Sequence, residues 1–150
     1  MPPLAARYRG SALGRKDGVN IGDWLPPMPL IRRPVVLVVE DDTELRELYR
    51  HGLSSSGYHV VAVGDGIDAL RRIDEGVVPT VVILDLELPR LHGTDLFREL
   101  RAHVTTRHVP VIVVTGTDTR NLDDPGEFTF VFRKPVSPET LARAIDAALH

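Results

Sequence analysis

From Pro34 onward the chain alternates short, almost purely apolar runs with stretches in which apolar residues recur every three or four positions. Val35-Val36-Leu37-Val38-Val39 is one such run, of strand length, and it ends abruptly in Glu40-Asp41-Asp42. Leu45, Leu48, Tyr49 and Leu53 then follow at helical spacing up to Gly57, which suits the left-handed position after a helix end. The pattern repeats. A strand over 58–63 leads through the Asp65-Gly66 turn to a helix marked by Ile67, Leu70 and Ile73 that stops near Gly76. A strand at Val81-Val82-Ile83-Leu84 runs straight into Asp85, and after a loop with Pro89 and Gly93 a helix carries Leu96, Phe97 and Leu100.

Val111-Ile112-Val113-Val114 predicts a fourth strand ending at Thr115. The following stretch contains Asp123-Asp124-Pro125-Gly126 and predicts at best one short helical turn before a fifth strand over 128–132. Lys134-Pro135 comes next, then a helix with Ser137 as N-cap, Pro138 in its first position, Glu139 in its first turn and a stripe of Leu141, Ile145 and Leu149. Strands apolar on both faces, alternating with amphipathic helices, imply a parallel sheet covered on each side. With right-handed crossovers this is an α/β doubly wound fold of five strands, its fourth helix short or irregular.

Residues 1–33 have a different texture. They carry Pro2, Pro3, Pro26, Pro27 and Pro29 and no sustained apolar period, and so read as an irregular or disordered leader, with the domain over 34–150. Charge divides at the same place: six bases face two acids in 1–33, whereas twelve bases face nineteen acids beyond, within a net charge of −3. The domain is thus acidic, and a small basic leader is a weak electrostatic footprint for nucleic acid. There are no cysteines, no apolar run of membrane-spanning length and no secretory signal at the start, so a cytoplasmic location is the default expectation.

In a doubly wound sheet, ligands bind beyond the carboxyl ends of the strands, where strand order reverses. The residues at those ends are Glu40 and Asp41, Asp85, Thr115 and Lys134. Clustered carboxylates repel, and such a cluster is commonly neutralised by a cation; an all-oxygen donor set suits Mg2+. A carboxylate beside that ion can attack phosphorus to give an aspartyl phosphate, with an ammonium and a hydroxyl available for the remaining phosphoryl oxygens.

On Val38-Val39-Glu40-Asp41, Ile83-Leu84-Asp85-Leu86-Glu87-Leu88-Pro89-Arg90-Leu91-His92-Gly93, Val113-Val114-Thr115-Gly116 and Arg133-Lys134-Pro135, the chain resembles the response-regulator receiver domains of two-component signalling, the CheY-like family. The resemblance implies a flavodoxin-like strand order of 2-1-3-4-5, Asp85 as phosphoacceptor, and Mg2+ held by Glu40, Asp41, Asp85 and the main-chain carbonyl of Glu87. It also implies Thr115 as the switch hydroxyl, Lys134 as the phosphoryl partner and Pro135 as a cis-proline. The implied partners are a histidine kinase or histidine phosphotransfer protein and a downstream protein target, with no nucleic acid or membrane bound by the domain itself. The oligomeric expectation is a monomer or a phosphorylation-dependent dimer. The domain is then a phosphoacceptor that at most promotes its own phosphorylation and dephosphorylation; the expectation is a stand-alone regulator that signals through protein–protein contacts without an attached output domain, the alternative a fragment of something longer.

Three departures stand out. His92 occupies the place where the family usually has Asp or Asn, and reads as a surface loop residue, not a ligand, because no second histidine lies at ligand spacing. Val131 stands where an aromatic switch residue is usual, with Phe130 and Phe132 pointing to the opposite face. The fourth helix is broken. Val131 and the broken fourth helix favour an alternative, a pseudo-receiver that binds partners without phosphate, although the intact acids, Thr115 and Lys134 count against it. A haloacid-dehalogenase-like phosphatase is disfavoured because Glu87 replaces the second Asp expected two residues after the nucleophile, and a P-loop nucleotidase is excluded because no Gly-x-x-x-x-Gly-Lys segment exists.

Overall fold

The computed structural model describes residues 15–16, 19–20, 33–116, 118, 122 and 125–150. Two compact units are separated at Arg32/Arg33. In the first, Arg15–Lys16 pairs antiparallel with Val19–Asn20. The rest of the leader expected over 1–33 lies outside the described residues, apart from Arg33.

In the second unit the strands are β1 (Val35–Val39), β2 (His59–Val63), β3 (Val81–Leu84), β4 (Val111–Thr115) and β5 (Phe130–Arg133). The helices are α1 (Thr43–Ser55), α2 (Gly66–Asp74), α3 (Gly93–Ala102) and α4 (Pro138–Leu149). All neighbouring strands are parallel, in the order β2-β1-β3-β4-β5. Among the described residues, the crossover between β4 and β5 contains a three-residue 3-10 turn, Pro125–Glu127.

The alternation of strand side chains divides the core in two. One layer joins Leu37, Val39, Leu84 and Val113 to Ala69 and Ile73 of α2 and Leu96, Phe97 and Leu100 of α3. The other joins Val36, Val38, Ile83 and Ile112 to Tyr49 and Leu53 of α1 and Leu141 and Ile145 of α4. Val131 packs into the first layer and Phe130 and Phe132 into the second, so the fifth strand obeys the same alternation. Leu48 and Ile67, read from spacing as members of apolar stripes, are instead 53% and 43% exposed.

β5 starts two residues later than the apolar run suggests. Phe128 turns away to make an edge-on ring contact with Phe97, 4.7 Å between centroids, and Arg101 lies over the Phe97 ring. Burying that ring against α3 competes with extending the ladder.

Helix starts are fixed by side-chain caps. Asp42 Oδ1 accepts from the Leu45 N–H and Asp65 Oδ1 from the Asp68 N–H, Ser137 Oγ accepts from the Thr140 N–H, and His92 Nδ1 accepts from the Thr94 N–H. His92 therefore serves as the cap of α3, an exposed residue with a structural role. Gly57 and Gly76 take positive φ, +96° and +108°, just after the ends of α1 and α2.

Candidate functional site

Strand register explains how residues distant in sequence meet. Val39 lies opposite Leu84, and Thr115 opposite Arg133, so Glu40, Asp85 and Lys134, each just after a strand, and Thr115, the last residue of β4, fall on one rim. Backbone hydrogen bonds continue past the strand ends: Asp85 N–H donates to the Val39 carbonyl, Glu40 N–H to Val63, and Lys134 N–H to Thr115. These ends are therefore held as firmly as the sheet itself, and the side chains inherit that placement.

Glu40, Asp85 and Thr115 are buried, Asp41 is exposed and Lys134 is half-buried. The Lys134 ammonium donates to Glu40 Oε1 at 2.7 Å and to Asp85 Oδ2 at 3.0 Å. Asp85 Oδ1 accepts from the Glu87 N–H at 3.0 Å. The Glu87 side chain is exposed. The Lys134–Pro135 peptide is cis.

One carboxylate oxygen is left over. Glu40 Oε2 is the buried side-chain polar atom without a hydrogen-bond partner among the described residues. An orphaned buried oxygen costs about 1–3 kcal/mol, more for a charged group, unless something binds it. Glu40, Asp41 and Asp85 each offer an oxygen, all within 4.8 Å of one another. Hard oxygen donors, excess negative charge and an unsatisfied buried oxygen together fit a divalent cation such as Mg2+. Asp42, the third acid of the run, is committed to capping α1.

The electrostatics follow from this crowding. Burial, then the neighbouring Asp85 side chain, pushes the Glu40 carboxyl up to about 8, and Lys134 only partly opposes them. Burial alone would lower the Lys134 ammonium, but its hydrogen bonds to Glu40 and Asp85 outweigh this and leave it raised. Because the folded Glu40 value lies above the ordinary 4.5, the native state holds a proton that the unfolded chain has released between these two pH values. Its contribution to stability is complete below about 4.5 and disappears as pH rises through about 8.

The metal-free domain is therefore expected to lose stability from this group over that window, by up to about 1.4 kcal/mol per pH unit. Mg2+ should bind better at the alkaline end, because it competes with the proton. Urea denaturation across the window, with and without Mg2+, checks this, and Glu40→Gln should flatten both dependences.

Two further residues shape the site, one legible in the sequence only as a helical position and the other only as a loop glycine. Arg46 Nη1 donates to the main-chain carbonyls of Glu40, at 2.9 Å, and Asp41, at 3.3 Å, fastening the loop that bears the acid pair. Gly93 is the second. A Cβ there would sit 2.5 Å from the Asp85 carbonyl oxygen and from Leu86 Cα, so only glycine lets α3 start this close to Asp85.

The sequence model of the response regulator receiver domain matches residues 36–146, most of the chain and nearly all of the second unit. The chain belongs to this family. Among curated relatives of the receiver domain, the response regulator MprA of Mycobacterium sp. (strain KMS) is 40% identical over 84 residues, which are 56% of this chain and 35% of that one. MprA of Mycobacterium avium (strain 104) is 39% identical over the same length, 36% of its own chain. The match thus spans about a third of the length of these relatives.

Among solved structures, the chemotaxis response regulator CheY4 of Vibrio cholerae superposes with a TM-score of 0.71 at 26% identity, covering 79% of this chain and all of that one. The receiver domain of the sensor histidine kinase PA1611 from Pseudomonas aeruginosa PAO1 gives 0.68 at 28% identity, covering 79% and 98%, and carries a magnesium ion coordinated in its active site cleft. Receiver domains are phosphoacceptors of two-component systems, and the five-stranded order found here is theirs. Among the described residues no helix is long and apolar enough to cross a membrane.

Proposed function

We propose that Asp85 of this receiver domain accepts a phosphoryl group from a histidine kinase or histidine phosphotransfer protein. Glu40, Asp41, Asp85 and the main-chain carbonyl of Glu87 would hold Mg2+, which when bound supplies positive charge for the transferring phosphoryl oxygens. The observation that carries the reading is the Glu40–Lys134–Asp85 arrangement: one ammonium shared by two buried carboxylates, with Glu40 Oε2 left unsatisfied.

In the reaction an Asp85 carboxylate oxygen forms a bond to phosphorus while the bond from phosphorus to the donor nitrogen breaks, and the electron pair leaves on that nitrogen. The Glu87 N–H fixes the rotation of the carboxylate through Oδ1. Lys134 moves from a purely carboxylate environment to one that includes a phosphoryl oxygen, and a compact ammonium suits that exchange better than a planar guanidinium. The Thr115 hydroxyl serves a further phosphoryl oxygen and conveys the change to the loops. The phosphorylated domain then acts through protein contacts, as a monomer or a phosphorylation-dependent dimer.

Val131 in the place of an aromatic, together with the reduced fourth crossover, supports a second reading in which the domain binds partners without phosphate. Amide NMR spectra with Mg2+ and beryllofluoride, a mimic of the phosphoryl group, separate the two. The phosphorylation-driven reading expects shifts extending from Asp85 through the segments after β3 and β4. Shifts confined to Glu40, Asp41 and Asp85 would favour the phosphate-independent module.

A further inference from the structure

The first helix carries a residue whose place is not explained by packing alone. Tyr49 is 1% exposed, in the core layer that α1 shares with α4. Its hydroxyl donates to the main-chain carbonyl of Val136 at 3.2 Å. Burial raises the phenol to about 12, so at neutral pH it keeps its proton and remains a donor.

Val136 is two residues beyond Lys134. The segment between them is tied on one side by the Lys134 N–H on the Thr115 carbonyl, at 2.9 Å, and on the other by Tyr49. One turn further along α1, Gly52 lies so close to Pro138 that an added Cβ would be 2.5 Å from the proline Cβ, so α1 packs directly on the proline ring that opens α4, two residues beyond Val136. Arg46, one turn before Tyr49, holds the carbonyls of Glu40 and Asp41. A single helix therefore grips both limbs of the site: the acid pair through Arg46 and the lysine limb through Tyr49.

We propose that Tyr49 is a positioning residue for Lys134, its hydroxyl fixing the 134–136 segment so that the ammonium reaches Glu40 and Asp85 together. The inference rests on the reading of Asp85 as phosphoacceptor for its kinetic consequence, but not for its structural one. Without the hydroxyl, the Val136 carbonyl loses its donor and the segment can shift by a few tenths of an ångström, enough to weaken one of two hydrogen bonds that share one ammonium.

Tyr49→Phe removes only the oxygen and keeps the ring that fills the core. In this variant the Nζ resonances of Lys134 should move, and the rate of phosphorylation by acetyl phosphate at saturating Mg2+ should fall by about three- to tenfold, equivalent to about 0.7–1.4 kcal/mol. In a Lys134→Ala background the same substitution should change the residual rate by less than about twofold, because a residue that acts through Lys134 has nothing left to act on. Unmoved Lys134 resonances in Tyr49→Phe would overturn the proposal, as would an equal rate loss with and without Lys134, the mark of a merely structural role. Should the wild type take up no phosphate, the phosphoacceptor reading fails, and the Lys134 resonances alone decide the role of Tyr49.

Discussion

Asp85→Asn is expected to abolish phosphate uptake outright. An amide nitrogen or oxygen at this position offers no carboxylate nucleophile, and no other described carboxylate is both buried and fixed by a backbone N–H as Asp85 is by Glu87. The fold should survive, because Asn is nearly the same size and its oxygen can accept from the Glu87 N–H. What should also disappear is stabilisation by the metal. A ligand at about a hundred times its dissociation constant stabilises a native protein by about 2.7 kcal/mol. The wild type should show a rise of this order on addition of Mg2+, and Asp85→Asn only a small fraction of it, since one of three clustered carboxylates is gone. Thermal melts with and without Mg2+ measure both terms. An Mg2+ effect unchanged in the variant would place the ion elsewhere.

Lys134→Ala should destabilise the metal-free domain by about 3 kcal/mol, the low end of what orphaning a buried ion pair costs. The low end applies for two reasons: the lysine side chain is 23% exposed, and Glu40, already raised, can neutralise itself by taking up a proton. The sign should reverse with the metal. Removing the ammonium leaves the Glu40, Asp41 and Asp85 cluster without its cation, so Mg2+, displacing the Glu40 proton, should bind more tightly to Lys134→Ala than to wild type and recover much of the lost stability. Phosphorylation should nevertheless slow by two orders of magnitude or more, because the charge developing on the phosphoryl oxygens loses its ammonium partner. Urea denaturation with and without Mg2+, beside phosphorylation rates, distinguishes these effects. A variant as stable as wild type without metal would show that the 2.7 and 3.0 Å contacts contribute nothing.

The strands and their order of chemistry were legible because each apolar run stops at a polar residue: Val39 at Glu40, Leu84 at Asp85, Val114 at Thr115. Parallel register then does the rest, since aligned strand ends bring the following residues together whatever the loops do. The structure places Glu40, Asp85 and Lys134 in mutual contact and Asp41 within ligand reach of both acids. What lay beyond the sequence was whatever depends on a third dimension. Arg46 and Tyr49 read as ordinary helical positions, and only the folded chain shows that they face main-chain carbonyls of the two site segments. Gly93 read as a loop glycine, whereas its reason is the approach of α3 to the Asp85 carbonyl. Leu48 has the spacing of a core residue and the exposure of a surface one, because periodicity cannot tell how far a stripe is covered. The late start of β5 has the same origin: an apolar Phe128 satisfies a helix face as well as it would a strand.

The proposed phosphoryl transfer comes down to one bond, from an Asp85 oxygen to phosphorus. Intact-mass spectrometry of the protein after incubation with acetyl phosphate and Mg2+ tests it most directly. The mass should rise by a single phosphate in the wild type, and by none when Mg2+ is chelated or when Asp85 is replaced by asparagine. A wild type that gains no mass, or an Asp85→Asn variant that gains as much, would contradict it.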